Sequence, residues 1–360
     1  MKQAVCWILG LSLIVLAGAT GVFAQTEEPV ILALLPLSGN NSRHGDFARK
    51  GIELALSRAI RPVPVIFEDT QMQSRQAIDA YKRVSSKHDV LAVLSLGSGV
   101  SMALSPLANR DRTLLMAVAA APDYSSPEDY TFRITGSAAV EAGFTAKLLS
   151  RELRVKSLAI ISEDSDFGHG ITEVLARSLE GQVSIVARES FLPGESDLRS
   201  VILKIKKAAP ELVFIAAMGA DTGLVLKQAR DLGYKARFMC SQACDNPDLI
   251  KVAGAAAEGL LATVPSADVR PEIELQYRGE FGENPSFASL RMFDATRILL
   301  DLHDHCREEI DRRECAIRYM RNLHDFPGVS FPLNFDRFGD LEDVFQLRVV
   351  KDSSFIPFYQ

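Results

Sequence analysis

The sequence contains no Gly-x-Ser-x-Gly elbow, no His-Glu-x-x-His helix and no Walker loop. The common serine-hydrolase, zinc-protease and phosphate-loop chemistries are thereby excluded, because each needs its nucleophile, ligand pair or backbone cradle at a set spacing. Asp164-Ser165-Asp166 begins like a calcium loop, yet Leu175 stands where the closing bidentate glutamate belongs. His303, His305 and Cys306 fall on a polar helical stretch with no matching ligand pair nearby, which favours a solvated face over a metal site. Gly97-Ser98-Gly99-Val100-Ser101-Met102 opens like a dinucleotide fingerprint but lacks the third glycine and an acidic residue on a following strand tip.

Excess positive charge is missing too. The formal net charge is −6, one unit more negative once Lys2 is removed with a leader, and this argues against nucleic acid and anionic membrane as partners. The leader is read from Met1-Lys2, the apolar run 5–15 and the small residues Val22 and Ala24 before Gln25, the three parts of a secretory signal over residues 1–24. Its apolar run is too short and too broken to span a bilayer comfortably. Leu16-Ala17-Gly18 is followed by Ala19, where a lipoprotein would carry its cysteine. An exported chain without that anchor points to a Gram-negative periplasm.

Cysteine is sparse, and Cys6 leaves with the leader. Cys240, Cys244, Cys306 and Cys315 then allow three pairings. Cys306 and Cys315 flank a charged run between two helical stretches, and in an oxidising compartment they are predicted to pair. Cys240 and Cys244 lie four apart in a loop, where geometry decides, and that bond stays open. No low-complexity linker divides the chain, although the roughly 335 residues left after the leader are long for one core. Two lobes with several chain crossings fit better than two beads on a string.

What the chain does have is a repeated strand, polar turn and helix. Residues 90–96 form an unbroken apolar run, as a parallel strand covered on both faces requires, and stop at Gly97-Ser98-Gly99 before an amphipathic stretch. Such an elbow leaves helix N–H groups facing the crevice at the strand's carboxyl end, although it is also ordinary α/β punctuation. Strands are predicted at 30–36, 63–67, 90–96, 114–118 and 130–134, and helices at 45–59 and from Ser74. A second round follows, with strands at 157–162, 183–188, 212–217, 237–240 and 260–264 and helices at 138–153, 198–208 and 222–232. Long helices at 271–281, 287–305 and 315–323 and short strands at 329–335, 344–350 and 355–358 end the chain. The fold class is therefore α/β, with two parallel sheets whose crevices lie at the same end. Polar loops there carry hydroxyls, amides and aromatics with few acid–base pairs, which is the equipment of a binder rather than an enzyme.

Taken together, Leu34-Leu35-Pro36-Leu37-Ser38-Gly39, His44-Gly45, Arg49-Lys50-Gly51, Phe132-Arg133-Ile134, Asp166-Phe167-Gly168, the run from Leu226 to Gly233, Ala257-Glu258-Gly259-Leu260 and Leu333-Asn334-Phe335-Asp336 make the chain similar to the periplasmic leucine/isoleucine/valine-binding proteins. The resemblance keeps its order from about Val30 to the C-terminus. It implies the type I periplasmic-binding-protein fold: two Rossmann-like lobes, three crossovers and a ligand cleft closed by a hinge. Lobe 1 would be 30–135 with 266–335, and lobe 2 would be 136–265 with 336–360. It further implies a monomeric solute-binding protein of an ABC importer, with no cofactor, delivering a small amino acid or related carboxylate to an inner-membrane permease. The same fold also serves ligand sensing.

The site residues carried over by the resemblance are Ser38, His44, Gly97, Ser98, Gly99, Ala120, Ala121, Phe167, Met218, Gly219 and Gln242. Ser98 and its elbow would take the ligand carboxylate. The loop that usually reads Ala-Thr is Ala120-Ala121-Pro122, and proline supplies neither N–H nor hydroxyl. Phe167 replaces the family's tyrosine, Met218 or Gly219 stands for another, and Gln242 falls where an acid usually binds the ammonium, unless Asp245 or Asp221 takes that role. These departures lead to the expectation of a weakened ammonium subsite, of an aromatic carboxylate or amide as an alternative ligand, and of affinity regained by Gln242→Glu.

Overall fold

The computed structural model describes residues 28–121, 124–127, 129–265, 269–342 and 345–358. The leader expected over residues 1–24, Pro122 and the lobe boundary at Ser266 lie outside them. In the first lobe, β1 (Val30–Leu35), β2 (Val65–Asp69), β3 (Val90–Leu96), β4 (Leu114–Val118) and β5 (Thr131–Arg133) form a parallel sheet in the order β2-β1-β3-β4-β5. Every residue of β1, β3 and β4 is buried, because helices cover both faces. One face packs on α1 (Ser42–Ser57) and the other on α2 (Ser74–Ser85) and α3 (Ser98–Asp111).

The second lobe repeats this plan with α4 (Ala138–Lys147), β6 (Ser157–Glu163), α5 (Asp166–Leu179), β7 (Ser184–Phe191), α6 (Arg199–Ala208), β8 (Leu212–Ala216), α7 (Gly219–Asp231), β9 (Arg237–Cys240), α8 (Pro247–Ala253) and β10 (Leu261–Pro265). The chain then returns to the first lobe as α9 (Pro271–Phe281), α10 (Phe287–Cys306), α11 (Arg312–Arg321) and the two-residue pair β11 (Phe326–Pro327) and β12 (Pro332–Leu333). It crosses a last time to end as β13 (Phe345–Lys351) and β14 (Ser354–Pro357). The second sheet runs β14-β13-β10-β9-β8-β6-β7. The three crossovers therefore follow β5, β10 and β12.

Three expectations change. The second sheet is mixed, since β13 is antiparallel to β10 and joins β14 through Asp352 and Ser353, both at positive φ as a two-residue hairpin turn requires. The strand expected at 329–335 shrinks to the β11–β12 pair, where Pro327 and Pro332 lack the N–H a longer ladder needs. The loop expected at 241–247 runs into α8, whose Asn246 side chain caps Asp248 N at 2.8 Å ahead of Pro247 at the first turn. Both remaining cysteine pairs are bonded, Cys306–Cys315 as expected and Cys240–Cys244 in addition. Among the described residues no helix is long and apolar enough to cross a membrane.

The first lobe's fit is closest where α1 meets α10. Gly51 lies against the Ser289 backbone, and a Cβ there would overlap the Ser289 carbonyl. Backbone cannot yield as a flexible side chain can, so Gly51→Ala is expected to cost ~1–3 kcal/mol through overpacking. A urea denaturation midpoint equal to that of the wild type would contradict this reading of the helix pair.

Candidate ligand-binding cleft

Loops at the carboxyl ends of both sheets meet across an interlobe cleft. There β3 ends at Leu96 and is followed by Gly97, whose φ of 103° is open to glycine and whose missing Cβ makes room for the Met72 sulfur. Met72 itself sits at φ 60° and Gln71 at φ 49°, two strained residues that turn the chain into the cleft. A cavity lies here, walled by Met72, Leu96, Val118, Phe167, Met218 and Phe287. His44, Gly97, Ser98, Ala120 and Gln242 also line it.

Most polar atoms on its wall are already engaged. The Ser98 hydroxyl oxygen accepts from Ala120 N at 3.2 Å and Ala121 N at 3.1 Å, leaving its own proton to donate. The buried Arg133 guanidinium donates to the carbonyls of Ala119 at 2.8 Å and Ala121 at 2.6 Å, and Ala138 N donates to that of Ala120 at 2.7 Å. Helix geometry leaves the N–H groups of Ser98 and Gly99, in the first turn of α3, without partners one turn back. An acceptor on a bound molecule can use them.

Gln242 is bound into the second lobe and the first crossover. Its side-chain amide donates to Glu141 at 2.9 Å and Gly136 O at 3.2 Å, and its oxygen accepts from the Thr135 hydroxyl at 3.2 Å. Glu141, with no solvent access, also accepts from Gln242 N at 2.7 Å and Thr263 Oγ1 at 2.6 Å. A glutamate at 242 would face Glu141 instead of donating to it. The structure thus gives Gln242→Glu a repulsive contact where regained affinity was expected.

The acid that faces the cavity is Asp245, three residues further along the same loop. Among the described residues no hydrogen bond reaches its carboxylate. Burial pushes its pKa up, and the charge of Arg348 pulls the other way. Asp221 is turned elsewhere: it accepts from Gly194 N at 3.2 Å and neighbours Glu163, and burial with the nearby carboxyl pushes the pair up.

Of the other residues expected at the site, Ser38 lies off the cavity wall because Asp69 captures both its hydroxyl, at 2.5 Å, and its N–H, at 3.2 Å. Gly99 borders an outer crevice, beside the Asp166 carboxylate that reaches it from α5. Ala121 is buried behind Ser98, and Gly219 packs on Asn246. Sequence reasoning missed Met72, Asn246 and the Ser286-Phe287-Ala288 turn. The only signal for that turn was Ser286 ahead of a long apolar helix, where it forms a capping box with Ser289.

The profile of the periplasmic binding protein family matches residues 30–342. The leucine-, isoleucine-, valine-, threonine- and alanine-binding protein of Pseudomonas aeruginosa is 24% identical over 256 residues, 68% of this chain and 69% of its own. The Leu/Ile/Val-binding protein of Escherichia coli K12 is 23% identical over 252 residues, 67% of this chain and 69% of its own. Among solved structures, a leucine binding protein from Thermotoga maritima matches with a TM-score of 0.84 at 23% identity, over 92% of this chain and 98% of that one. A branched-chain amino acid transporter substrate binding protein from Streptococcus pneumoniae, in complex with isoleucine, matches at 0.82 and 18% identity, over 91% of this chain and 98% of its own.

His44 joins the lobes. Its Nδ1 meets Asn246 Nδ2 at 3.3 Å across the cleft, and since Asn246 Oδ1 is taken by Asp248 N, the ring accepts there as a neutral imidazole. Burial, with Arg43 adding to it and Asp248 opposing, brings His44 down to about 4. A lowered pKa means stability present above the ordinary value near 6.5 and lost as pH falls toward 4. Wild type should therefore lose up to ~2 kcal/mol more than His44→Gln between pH 7 and 5. Parallel urea curves of the two proteins over that range would contradict the assignment.

Proposed function

Because the chain belongs to the periplasmic binding protein family, we propose that it is the extracytoplasmic solute-binding component of an ABC importer, holding a small amino acid in the interlobe cleft for delivery to a membrane permease. On this reading it is exported to the periplasm by its leader and acts as a monomer without enzymatic turnover. Residues 30–135 and 266–335 form one lobe and 136–265 and 336–360 the other, with hinges near Thr135, Pro265 and Phe335.

The observation that carries the ligand class is the pairing of open polar groups in an otherwise apolar cavity. Ser98 stands on the side shared with the outer crevice, and Asp245 on the side shared with a cavity beneath Phe287 and Arg348. Ser98 Oγ–H and the first-turn N–H groups of α3 suit a carboxylate. Asp245 suits an ammonium, because among the described residues its half-buried carboxylate accepts no hydrogen bond and has only the charge of Arg348 in its favour, so a donor cation in the cavity adds to what holds it. The walls of Met72, Phe167, Met218 and Phe287 suit an aliphatic or aromatic side chain. The cavity thus favours an amino acid over a plain carboxylate, and Asp245 takes the part first assigned to position 242.

Calorimetry with leucine, valine, phenylalanine and the des-amino analogue 4-methylpentanoate tests this. At least one amino acid should bind, and 4-methylpentanoate should bind at least 10-fold more weakly than leucine. Asp245→Asn should cost leucine roughly 10- to 100-fold, about 1.4–2.8 kcal/mol, while Gln242→Glu brings no gain. Equal binding of leucine and its des-amino analogue would overturn the ligand class.

A further inference from the structure

We infer that the Cys240–Cys244 disulfide is a positioning device for the cleft: together with the Glu141 contacts of Gln242 it holds the loop that presents Gln242, Ala243, Asp245 and Asn246 to the ligand, and without it both lobes fold but the loop loosens. Its effect on ligand affinity rests on the proposed function, whereas its effect on the loop does not.

Beyond Ser241 N on Ile215 O at 3.1 Å and the contacts of Gln242 with Glu141, Gly136 and Thr135, the segment is shaped by short-range hydrogen bonds of its own. β9 ends at Cys240, and the chain must leave the sheet, turn and start α8 within six residues. Residues 242–244 make a single 3-10 turn, closed by Cys244 N to Ser241 O at 3.0 Å and Asp245 N to Gln242 O at 3.1 Å. Such turns are weak alone, since their hydrogen bonds are poorly aligned and side chains eclipse. The disulfide spans that turn, and both cysteines are fully buried in the apolar cluster with Leu249 and Ala253 that underlies α8. A covalent closure of so short a loop removes most of the alternative conformations open to it.

The disulfide closes residues 240–244 and fixes the start of a segment, 242–246, that carries three tasks at once. Gln242, Ala243, Asp245 and Asn246 all line the cavity. The Gln242 amide reaches Thr135 and Gly136 at the first crossover, and Asn246 reaches His44 on the opposite lobe at 3.3 Å. Cavity wall, hinge and interlobe contact are thus tied to one clipped turn. The second disulfide offers the contrast. Cys306–Cys315 joins the end of α10 to α11, and no cavity-lining residue falls within its loop.

The test compares Cys240→Ala/Cys244→Ala with Cys306→Ala/Cys315→Ala in the full mature chain. Hydrogen exchange of the ligand-free proteins should show amides at 241–246 exchanging at least 10-fold faster in the first variant only, with the strands of the second lobe still protected. Leucine should then bind the first variant at least 10-fold more weakly, chiefly through faster release, while the second loses melting temperature and keeps its affinity. A Cys240→Val/Cys244→Ala pair, which refills the core volume, covers a failure of the alanines to fold. Unchanged exchange at 241–246, or an equal loss of affinity in both variants, would overturn the inference. If leucine fails to bind even the wild type, the proposed ligand is wrong and the exchange experiment still decides the role of the disulfide.

Discussion

A carboxylate without solvent access joins the parts of this molecule that must act together. Glu141, in the first turn of α4, accepts hydrogen bonds from the Gln242 backbone, the Gln242 side chain and the Thr263 hydroxyl. A carboxyl that deep is tolerable only if its oxygens find donors, and these come from two separate elements, two from Gln242 after β9 and one from Thr263 on β10. The first crossover, the end of β10 and the loop after β9 are therefore held in one arrangement. Removing any donor would leave the others around an under-satisfied charge, so the network acts as a unit rather than as a sum of pairs.

The chemistry of the cleft follows from that spending of polar groups. Gln242, Ala119, Ala120 and Ala121 direct their hydrogen-bonding groups into the protein, and the face they show the cavity is largely apolar. Ser98 and Asp245 keep capacity in hand. An apolar wall with a donor group at one side and an acid at the other selects by charge placement first and by side-chain shape second. Position 242 illustrates the point, since an amide there builds the site by serving Glu141 instead of touching a ligand's charge.

The fold was largely legible because its strands are buried on both faces. β3 and β4 stand where their apolar runs place them, and α9 begins at the proline that announces it. What local pattern could not show was pairing between distant residues. Ser38 looked available until Asp69, 31 residues away, took it, and nothing in the sequence singled out Glu141, which receives the loop after β9 from 101 residues away. Phe287 arrives from a segment far along the chain to close the same cavity as Met72. The short α8 was readable from Asn246-Pro247 and was hidden by the polarity of its flanks.

The central claim is that two lobes close on a small molecule about three crossovers. The lobes touch across the cleft through His44 and Asn246, Arg43 and Asp248, and Gly99 and Asp166, contacts that must break if the lobes part to admit a molecule. Small-angle scattering of the mature protein during a leucine titration tests this most directly, with circular dichroism recorded in parallel. The account predicts a radius of gyration that falls to a plateau at saturation while secondary structure stays constant. A radius unchanged at full occupancy would contradict it.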